Sequence, residues 1–194
     1  MENLLNPGSA TPLMSPAELH EGIASLSRGA YFREASLNMM LGILTESAAQ
    51  MSGVERVSIW ALTDGHQELR CLELYERTPG RHSKDGSLSA SRYPNYFRAL
   101  RRGSCIAADD AYLHPDTVEF AGDYLPQHKV TAMLGTPSHI RGDLQGVLCL
   151  EQVGACQPWT AEHRIFAQAV ANLVTLAFVE YEAEEARRHA QAAS

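Results

Sequence analysis

The stretch 131–160, TAMLGTPSHIRGDLQGVLCLEQVGACQPWT, predicts the central hairpin of an antiparallel sheet followed by the start of a long helix. Two runs of strand-forming residues flank the polar turn 141–143, in which Gly142 can adopt the positive φ that a short hairpin loop often needs. We expect Ile140 to pair with Leu144 across this turn. The register of the whole hairpin follows from that pairing.

In this register Met133 lies opposite Glu151 and Gly135 lies opposite Cys149. Because side chains alternate between the two faces of a strand, the hairpin has two unlike faces. One is nearly apolar and should be covered by helices: Ala132, Leu134, Thr136, Leu148 and Leu150. The other, the mixed face, carries Met133, Gly135, Val147, Cys149 and Glu151. A mixed face indicates either a lined cavity or a half-solvated outer surface of an antiparallel sheet, and the pattern leaves both open.

A second hairpin is predicted from the runs 56–63 (RVSIWALT) and 69–76 (LRCLELYE), joined through an Asp-Gly turn. A two-residue turn places Trp60 opposite Leu69. The side chains again sort into two faces. The apolar face carries Val57, Ile59, Ala61, Leu72 and Leu74, and the mixed face carries Ser58, Trp60, Cys71, Glu73 and Tyr75.

The rest of the chain predicts helices at both ends and an irregular middle. The expected elements are a short helix capped by Ser15, a helix over 31–51 ending at Gly53, a mobile loop over 78–89, a helix over 93–100, a strand over 104–108, a short helix opening at Pro115, and a final helix from Thr160 to about Ala190. This order predicts an α+β fold: a six-stranded antiparallel sheet with the N- and C-terminal helices on one face and short helices and loops over the other.

The final helix carries two apolar stripes. The first should cover the sheet: Phe166, Val170, Leu173, Ala177 and Tyr181. The second recurs at nearly heptad spacing: Ile165, Ala169, Leu176, Val179, Ala183, Ala186 and Ala190. A second stripe favours a homodimer through the terminal helices. The alternative is a frayed helix end, because the segment 182–188 is helical by propensity alone.

Composition excludes several classes of protein. The 194 residues include 16 basic and 23 acidic side chains, with a net charge of -7. Without a Lys/Arg-rich stripe, neither nucleic acid nor an anionic membrane is an expected partner. The sequence has no run of about eighteen apolar residues and no signal-peptide pattern, which predicts a cytoplasmic protein.

The cysteines are expected to be reduced and not catalytic. Cys71, Cys105, Cys149 and Cys156 form no Cys-x-x-Cys pair, and no His/Cys cluster has the spacing of zinc ligands. No sequence-evident base lies beside any of them. We therefore expect no metal and no enzyme activity.

Four segments together resemble a bacterial GAF domain: VERVSIWAL, CIAADDAYLHPDTVEF, GVLCLEQVG and WTAEHRIFAQAVANLVTLA. The resemblance covers 31–180, preceded by an arm and lead-in helix at 1–30 and followed by a helical extension at 181–194. GAF domains sense cyclic nucleotides, bilins, haem or metabolites, or only dimerise, and often precede an output domain. An output domain beyond the C-terminus is therefore an expected partner.

The resemblance does not identify the ligand. No cysteine is followed by the histidine common at bilin attachment sites, and the Asn-Lys-Phe-Asp-Glu signature of cyclic-nucleotide binding is not traceable. The cofactor stays unassigned. The leading hypothesis is a non-catalytic sensor of a small molecule in bacterial signal transduction. One alternative is a ligand-free dimerisation or interaction module, and another is a thiol-based redox enzyme or sensor, such as a free methionine sulfoxide reductase.

The predicted ligand site lies over the mixed face. It is centred on Trp60, Tyr75, Met133, Cys149 and Glu151, and it is roofed by Tyr96, Phe97 and a segment containing Asp109, Tyr112 and Phe120. An unpaired carboxylate there would cost several kcal/mol, so Glu151 and Glu73 should each meet a cationic ligand, an arginine such as Arg98, or water. An amine, a neutral heterocycle or no ligand at all is therefore favoured over an anion bound directly against the sheet floor.

Overall fold

The structure is a computed structural model that describes residues 15–29, 36–155 and 158–192. Its helices are α1 (Pro16–Ser27), α2 (Leu37–Ser52), α3 (Pro94–Arg101), α4 (Tyr124–His128) and α5 (Ala161–Ala192), with short 3-10 helices at Asp64–His66 and Val118–Gly122. Its strands are β1 (Arg56–Leu62), β2 (Glu68–Glu76), β3 (Arg81–Ser83), β4 (Ser87–Ser89), β5 (Ile106–Ala108), β6 (Val130–Ile140) and β7 (Asp143–Val153).

The strands form one antiparallel sheet in the order β3-β2-β1-β7-β6-β5, and the short β4 also pairs with β2. Helices α1, α2 and α5 cover one face, while α3, α4 and the irregular middle cover the other. The predicted α+β class and six-stranded sheet are confirmed, with one extra short strand. The extra strand β4 and strand β3 lie within 78–89, which was predicted from the sequence to be a mobile loop.

The helix caps follow local sequence. The Ser15 hydroxyl accepts from the Glu18 N–H at 3.3 Å, and the Glu18 carboxylate accepts from the Ser15 N–H at 2.7 Å, which confirms the predicted capping box. Gly53 ends α2 in the left-handed conformation, as predicted. Ser36 caps the start of α2. The predicted arm 1–14 and residues 30–35 lie outside the described residues.

The central hairpin has the predicted register in its middle and a different turn. Met133 pairs with Glu151 and Gly135 with Cys149, but Ile140 pairs with Asp143 and not with Leu144. A register shift at Ser138–His139 compensates for this difference. The turn is therefore the two residues 141–142, both with positive φ, which suits the twist of a tight hairpin.

The second hairpin corrects the predicted register. Trp60 pairs with Cys71 and not with Leu69, because the connection is longer than two residues and includes a 3-10 helix. One extra residue, Leu72, then lies between the partners of Ile59 and Trp60. Such a bulge breaks the alternation of side chains.

The bulge reverses the predicted faces of the last residues of β2. Tyr75 pairs with Val57 and packs in the core under α1, α2 and α5, so its assignment to the mixed face was wrong. Glu73 lies on that same side, within 4.0 Å of the Cβ position of Gly42 in α2. Leu74 moves the other way and packs with Cys71 against the short helices.

Two cores therefore lie on opposite sides of the sheet. The helix-side core includes Leu41, Leu44, Val57, Ile59, Tyr75, Ala132, Leu134, Leu148, Leu150, Phe166 and Val170. The aromatic core includes Trp60, Cys71, Leu74, Tyr93, Tyr96, Phe97, Phe120, Tyr124, Met133, Val147 and Cys149. Within the described residues, no helix has the length and apolar composition needed to cross a membrane.

Candidate ligand cleft

The centre of the predicted site is filled by aromatic side chains. Met133 and Cys149 are buried in the aromatic core with Tyr96, Phe97 and Phe120. The Tyr96 hydroxyl lies 3.5 Å from Cys149 Sγ, and it would be 3.3 Å from a Cβ added at Gly135. The space that the glycine leaves is thus taken by this tyrosine. Here the mixed face carries a second core.

A buried ion network lies beside this core. Arg56 Nε donates to Glu151 Oε2 at 2.9 Å, and Arg56 Nη1 donates to Glu76 Oε1 at 2.7 Å. The Tyr124 hydroxyl donates to Glu151 Oε1 at 2.7 Å. The prediction that Glu151 needs a charged or hydrogen-bonding partner is confirmed. That partner is Arg56 and not Arg98, which donates to the Asn95 side chain near the surface.

The network fixes the charge of its members. Burial disfavours a charged Arg56, but the ion pair with Glu151 outweighs this and raises the pKa of the guanidinium above its usual range. Burial, reinforced by Glu151, raises the pKa of the Tyr124 hydroxyl well above 10. Arg56 therefore stays cationic and Tyr124 stays a hydrogen-bond donor at neutral pH.

The thiols on this side are protonated at neutral pH. Burial raises the pKa of Cys71 to about 12, and burial followed by the charge of Glu151 raises the pKa of Cys149 above its usual range. On the helix side of the sheet, burial raises the pKa of Cys105 as well. Because the thiolate is the nucleophile, these environments slow cysteine chemistry.

An open cleft of about 270 Å³ lies at one edge of the aromatic core. Its floor is formed by Arg56 and Trp60 of β1 and Leu74 of β2. One rim is the β3–β4 connection with β4, and the other is the residues before α3 together with Asp123 and α4. The residues of the two rims are Asp85, Gly86, Ser87 and Leu88 on one side, and Arg92, Tyr93, Asp123, Tyr124, Gln127 and His128 on the other.

The second rim is held together by Asp123. Its carboxylate accepts from the Tyr93 hydroxyl at 2.7 Å and the Tyr124 N–H at 2.6 Å, and it pairs with Arg92. Burial followed by the bond to Asp123 raises the pKa of Tyr93 to about 12. His128 packs edge-on against Tyr124, with ring centroids 4.7 Å apart, and burial lowers the pKa of its imidazole. The rim presents aromatic rings in fixed positions.

Gly86 shows how closely the first rim approaches the floor. Its φ is +128°, and a Cβ there would lie 3.5 Å from the Trp60 ring. The Trp60 indole is fixed from the other end, since Nε1 donates to the Ser58 hydroxyl at 2.8 Å. Because Gly86 has no side chain, the β3–β4 connection can pass close to the edge of the Trp60 indole.

Of the ten residues predicted to bind a ligand, only Trp60 lines the cleft. Tyr96, Phe97, Phe120, Met133 and Cys149 lie together beneath it as core, and Glu151 lies behind Arg56. Tyr75 is on the opposite face of the sheet, where it packs in the helix-side core.

The two remaining predicted residues lie elsewhere. The Asp109 carboxylate accepts from the Trp159 N–H at 2.7 Å, so it fixes the entry to α5. Tyr112 is partly exposed on the loop after β5, where its N–H bonds to Asp110. Neither residue lines the cleft.

Sequence reasoning missed Arg56, Tyr93, Asp123 and His128. For Arg56 a signal was present, because in the predicted sheet an arginine at the first position of a strand could pair with a buried glutamate of a neighbouring strand. The remaining three are His128 at the end of the five-residue helix α4 and the helix N-cap residues Tyr93 and Asp123, and such positions show no side-chain periodicity that would indicate a site. Among the described residues no group of three His, Cys, Asp or Glu side chains could hold a metal ion.

Comparison with known proteins agrees with this architecture. The family model for the GAF domain matches residues 36–178. No curated protein matches the sequence.

Solved GAF domains share the fold at low sequence identity. The GAF domain of a phosphoenolpyruvate-protein phosphotransferase from Coxiella burnetii is 18% identical, with a TM-score of 0.67 over 93% of this chain and 100% of that one. The phycocyanobilin-bound GAF domain of a cyanobacterial phytochrome is 14% identical, with a TM-score of 0.69 over 88% and 97% of the two chains. Since the family model covers most of the sequence and the solved structures share its fold, the chain belongs to the GAF domain family.

Proposed function

We propose that this GAF domain is a non-catalytic sensor that binds a small planar molecule in the cleft and signals through its terminal helices. The observation that carries the proposal is the cleft itself, an open space beside a packed aromatic core with rims from separate parts of the chain. A ligand between the rims would hold the β3–β4 connection against α4. Concave sites with aromatic walls and a few fixed polar groups are typical of small-molecule binding.

The charges around the cleft favour a ligand with an amino group. Arg56 is neutralised by Glu151 and Glu76, and Arg92 is neutralised by Asp123. Asp85 is the lining charge that has no ion pair with any described residue. Trp60, Tyr93 and Tyr124 add ring faces and edges that suit a planar cation or a neutral heterocycle.

The floor of the cleft connects directly to the helices. Arg56 and Trp60 belong to β1, and the neighbouring Val57 and Ile59 on the same strand pack in the helix-side core. A shift of β1 on ligand binding would therefore move the surface on which α1, α2 and α5 pack. This is the route by which we propose the signal leaves the domain, toward an output domain attached beyond the C-terminus.

Homodimerisation through α5 is the second part of the proposal. The predicted second stripe is on the outside of the helix, where Ile165 is 70% exposed and Leu176 and Val179 are about 40% exposed. Such a stripe is suited to a second copy of the chain. We also propose a cytoplasmic location, because Cys71, Cys105 and Cys149 are free thiols.

Native mass spectrometry of freshly purified protein tests the sensor proposal. We expect a retained small molecule, or thermal stabilisation by planar amines such as adenine and tryptamine. Ser87→Trp, which fills the cleft from its rim, should abolish either effect, and Asp85→Asn should weaken it. The matched control Asp143→Asn lies in the distant hairpin and should change nothing. A protein that retains nothing and responds to no probe would support the ligand-free interaction module.

A further inference from the structure

Strand β3 lies at the edge of the sheet and leads directly into the rim of the cleft. Its three residues pair with residues 74–76 of β2, and the cleft-lining residues 85–88 follow almost at once along the chain. Because successive side chains of a strand point to opposite faces, Arg81 and His82 lie on different sides of the sheet. This short strand therefore contacts both layers that cover the sheet.

Arg81 joins β3 to the floor of the cleft. Its Nε donates to Glu76 Oε2 at 3.1 Å. The other oxygen of the same carboxylate accepts from Nη1 of Arg56, which lines the cleft, at 2.7 Å. The Glu76 carboxylate is thus shared between the cleft floor and β3, so a displacement of either the floor or the rim acts on this strand.

His82 joins β3 to helix α2 on the opposite face. Its Nδ1 lies 2.6 Å from Oε1 of Glu73, a β2 residue that is 3% exposed and was expected to need a partner. Its Nε2 lies 3.4 Å from Oε2 of Glu46 in α2. The imidazole also packs against the Tyr75 ring, with centroids 4.7 Å apart. One side chain of β3 therefore contacts both β2 and α2.

Helix α2 lies directly over this imidazole. The Cβ position of Gly42 is 3.7 Å from His82 Cε1 and 4.0 Å from Oε1 of Glu73, which are ordinary packing distances. Gly42 and Glu46 are four residues apart and hence lie on one face of the helix. A movement of His82 would therefore change the surroundings of two successive turns of α2.

The two carboxylates around His82 differ in burial. Glu73 is buried, whereas the side chains of His82 and Glu46 are 40% and 45% exposed. Breaking a buried pair costs much stability, while an exposed pair contributes little. The bond to Glu73 thus holds the imidazole on the sheet, and the contact with Glu46 can form and break while the domain stays folded.

We propose that β3 transmits the state of the cleft to α2, and that His82 is the positioning residue that joins them. This path is separate from the one through β1, and its use in signalling rests on the proposed sensor function. Coupling between two sites acts in both directions, so a change at Glu46 on the helix should alter the rim of the cleft.

Amide hydrogen exchange of the full chain tests the path from the helix to the rim. The Cys71 N–H bonds to the carbonyl oxygen of Gly86 at 3.0 Å and therefore reports on opening of the rim. Glu46→Ala should accelerate its exchange about twofold to fivefold, the effect of losing an exposed ion pair. Glu46→Gln retains an oxygen that can accept from His82 Nε2, so it should accelerate this exchange less than Glu46→Ala does.

Gln50→Ala is the matched control on the same helix. Gln50 Nε2 donates to Glu46 Oε1 at 3.2 Å, so Gln50→Ala and Glu46→Ala both lose that bond. Only Glu46→Ala also loses the contact with His82. Exchange of the Cys71 N–H should therefore be unchanged in Gln50→Ala.

NMR spectra of Ser87→Trp test the path from the cleft to the helix, because the new side chain fills the cleft in place of a ligand. The Gly42 N–H of α2 should shift in this variant. Adding Glu46→Ala should reduce the shift that Ser87→Trp causes by about half or more, and adding Gln50→Ala should leave it unchanged. Gly86→Ala, which strains the same rim at φ +128°, replaces Ser87→Trp if that variant does not fold.

Three results would overturn the proposal. One is unchanged exchange of the Cys71 N–H in Glu46→Ala. Another is equal acceleration of the Thr63 N–H, which bonds to Glu68 at the other end of the hairpin and would report general destabilisation. The third is a Gly42 shift that persists in full when Glu46→Ala is added.

Ligand retention and thermal stabilisation judge the sensor function separately. Binding of a probe without the coupling through Glu46 would remove the role of β3 and leave the sensor function intact. Coupling in a domain that binds no probe would remove the sensor function and leave the connection from the rim to α2.

Discussion

Arg56 and Glu151 form a cross-strand ion pair at the base of the cleft, in which Arg56 Nε donates to Glu151 Oε2 over 2.9 Å. The arginine is 5% exposed and the glutamate 1% exposed. Glu151 also accepts from Tyr124, and Arg56 also donates to Glu76. One pair of side chains thus joins β1, β7 and α4 at the place where the cleft meets the aromatic core.

Removing the charge of Glu151 should strongly destabilise the fold. In Glu151→Gln the Arg56 guanidinium stays buried but loses the negative charge of Glu151 and keeps only that of Glu76. Breaking a buried ion pair in this way costs about 3–5 kcal/mol. Urea denaturation measures the free energy of unfolding. Glu68→Gln is the control, because its pair with Arg70 is at the surface and should contribute less than about 1 kcal/mol. Similar losses in both variants would contradict the assignment.

Gly146→Ala should be among the most damaging small substitutions in the sheet. A Cβ at Gly146 would lie 1.9 Å from the carbonyl oxygen of Trp60, so β1 and β7 would have to separate. Overpacking of this kind costs about 1–3 kcal/mol or more. Gly122→Ala is the matched control, since nothing lies within 4 Å of its Cβ position. Thermal melts of the two variants should differ clearly, and equal melting temperatures would refute the close approach of the strands.

The stability of the domain should fall as pH drops below the normal histidine range. Burial lowers the pKa of His163 and of His128 below the usual value of 6.5. As the pH falls, these histidines are therefore protonated at a higher pH in the unfolded chain than in the folded protein. The stability that each neutral histidine contributes to the fold is present above about pH 6.5 and is lost as the pH falls.

His163→Asn should flatten this acid dependence. The neutral His163 Nδ1 accepts from the Thr160 N–H at 2.9 Å at the start of α5, and asparagine can take over that role. Unfolding free energies measured between about pH 7 and about pH 5 should show a smaller loss in the variant than in the wild type. His20→Asn, at an exposed position of α1, is the matched control. An unchanged slope in His163→Asn would contradict this prediction.

Introducing charge into the second apolar stripe of α5 should dissociate the proposed dimer. Burial of a Leu or Val side chain is worth about 1.5–3 kcal/mol, so Leu176→Glu with Val179→Glu should weaken the dimer by a factor of about 100 or more. Ending the chain after Tyr181 should weaken it without unfolding the domain. Light scattering measures the mass, and Glu180→Gln is the control. A monomer in the wild type, or a dimer unchanged by either alteration, would contradict the role of the stripe.

The cysteines of the aromatic core should react slowly. Because burial raises the pKa of Cys71 to about 12 and that of Cys149 above its usual range, both are thiols at neutral pH. Mass spectrometry after brief iodoacetamide treatment should find both unmodified in the folded protein and alkylated in urea. The protein should not reduce free methionine sulfoxide. Turnover that is lost in Cys71→Ser, Cys105→Ser or Cys149→Ser would establish the redox alternative.

The sequence alone was sufficient to predict helix ends and the pairing of the central hairpin, which depend on residues close together along the chain. The Ser15–Glu18 capping box, the end of α2 at Gly53 and the pairing of Met133 with Glu151 all follow from residues close in sequence or from strict alternation. The division of the central hairpin into an apolar face and a mixed face was predicted for the same reason. Local conformational preference and side-chain periodicity are properties of the chain itself.

Only the tertiary structure decided where the binding space lies. The bulge at Leu72 moved Tyr75 and Glu73 to the helix side, and a one-residue change of register cannot be read from alternation. Tyr96 and Phe120, which were predicted to roof a ligand, pack directly on the mixed face of the sheet. They do so because large aromatic side chains gain stability by burying their rings against apolar side chains. The cleft formed where Arg56, Asp85 and Asp123, distant in sequence, meet at the edge of that core. Contacts between such segments depend on packing, which the sequence determines only through the whole fold.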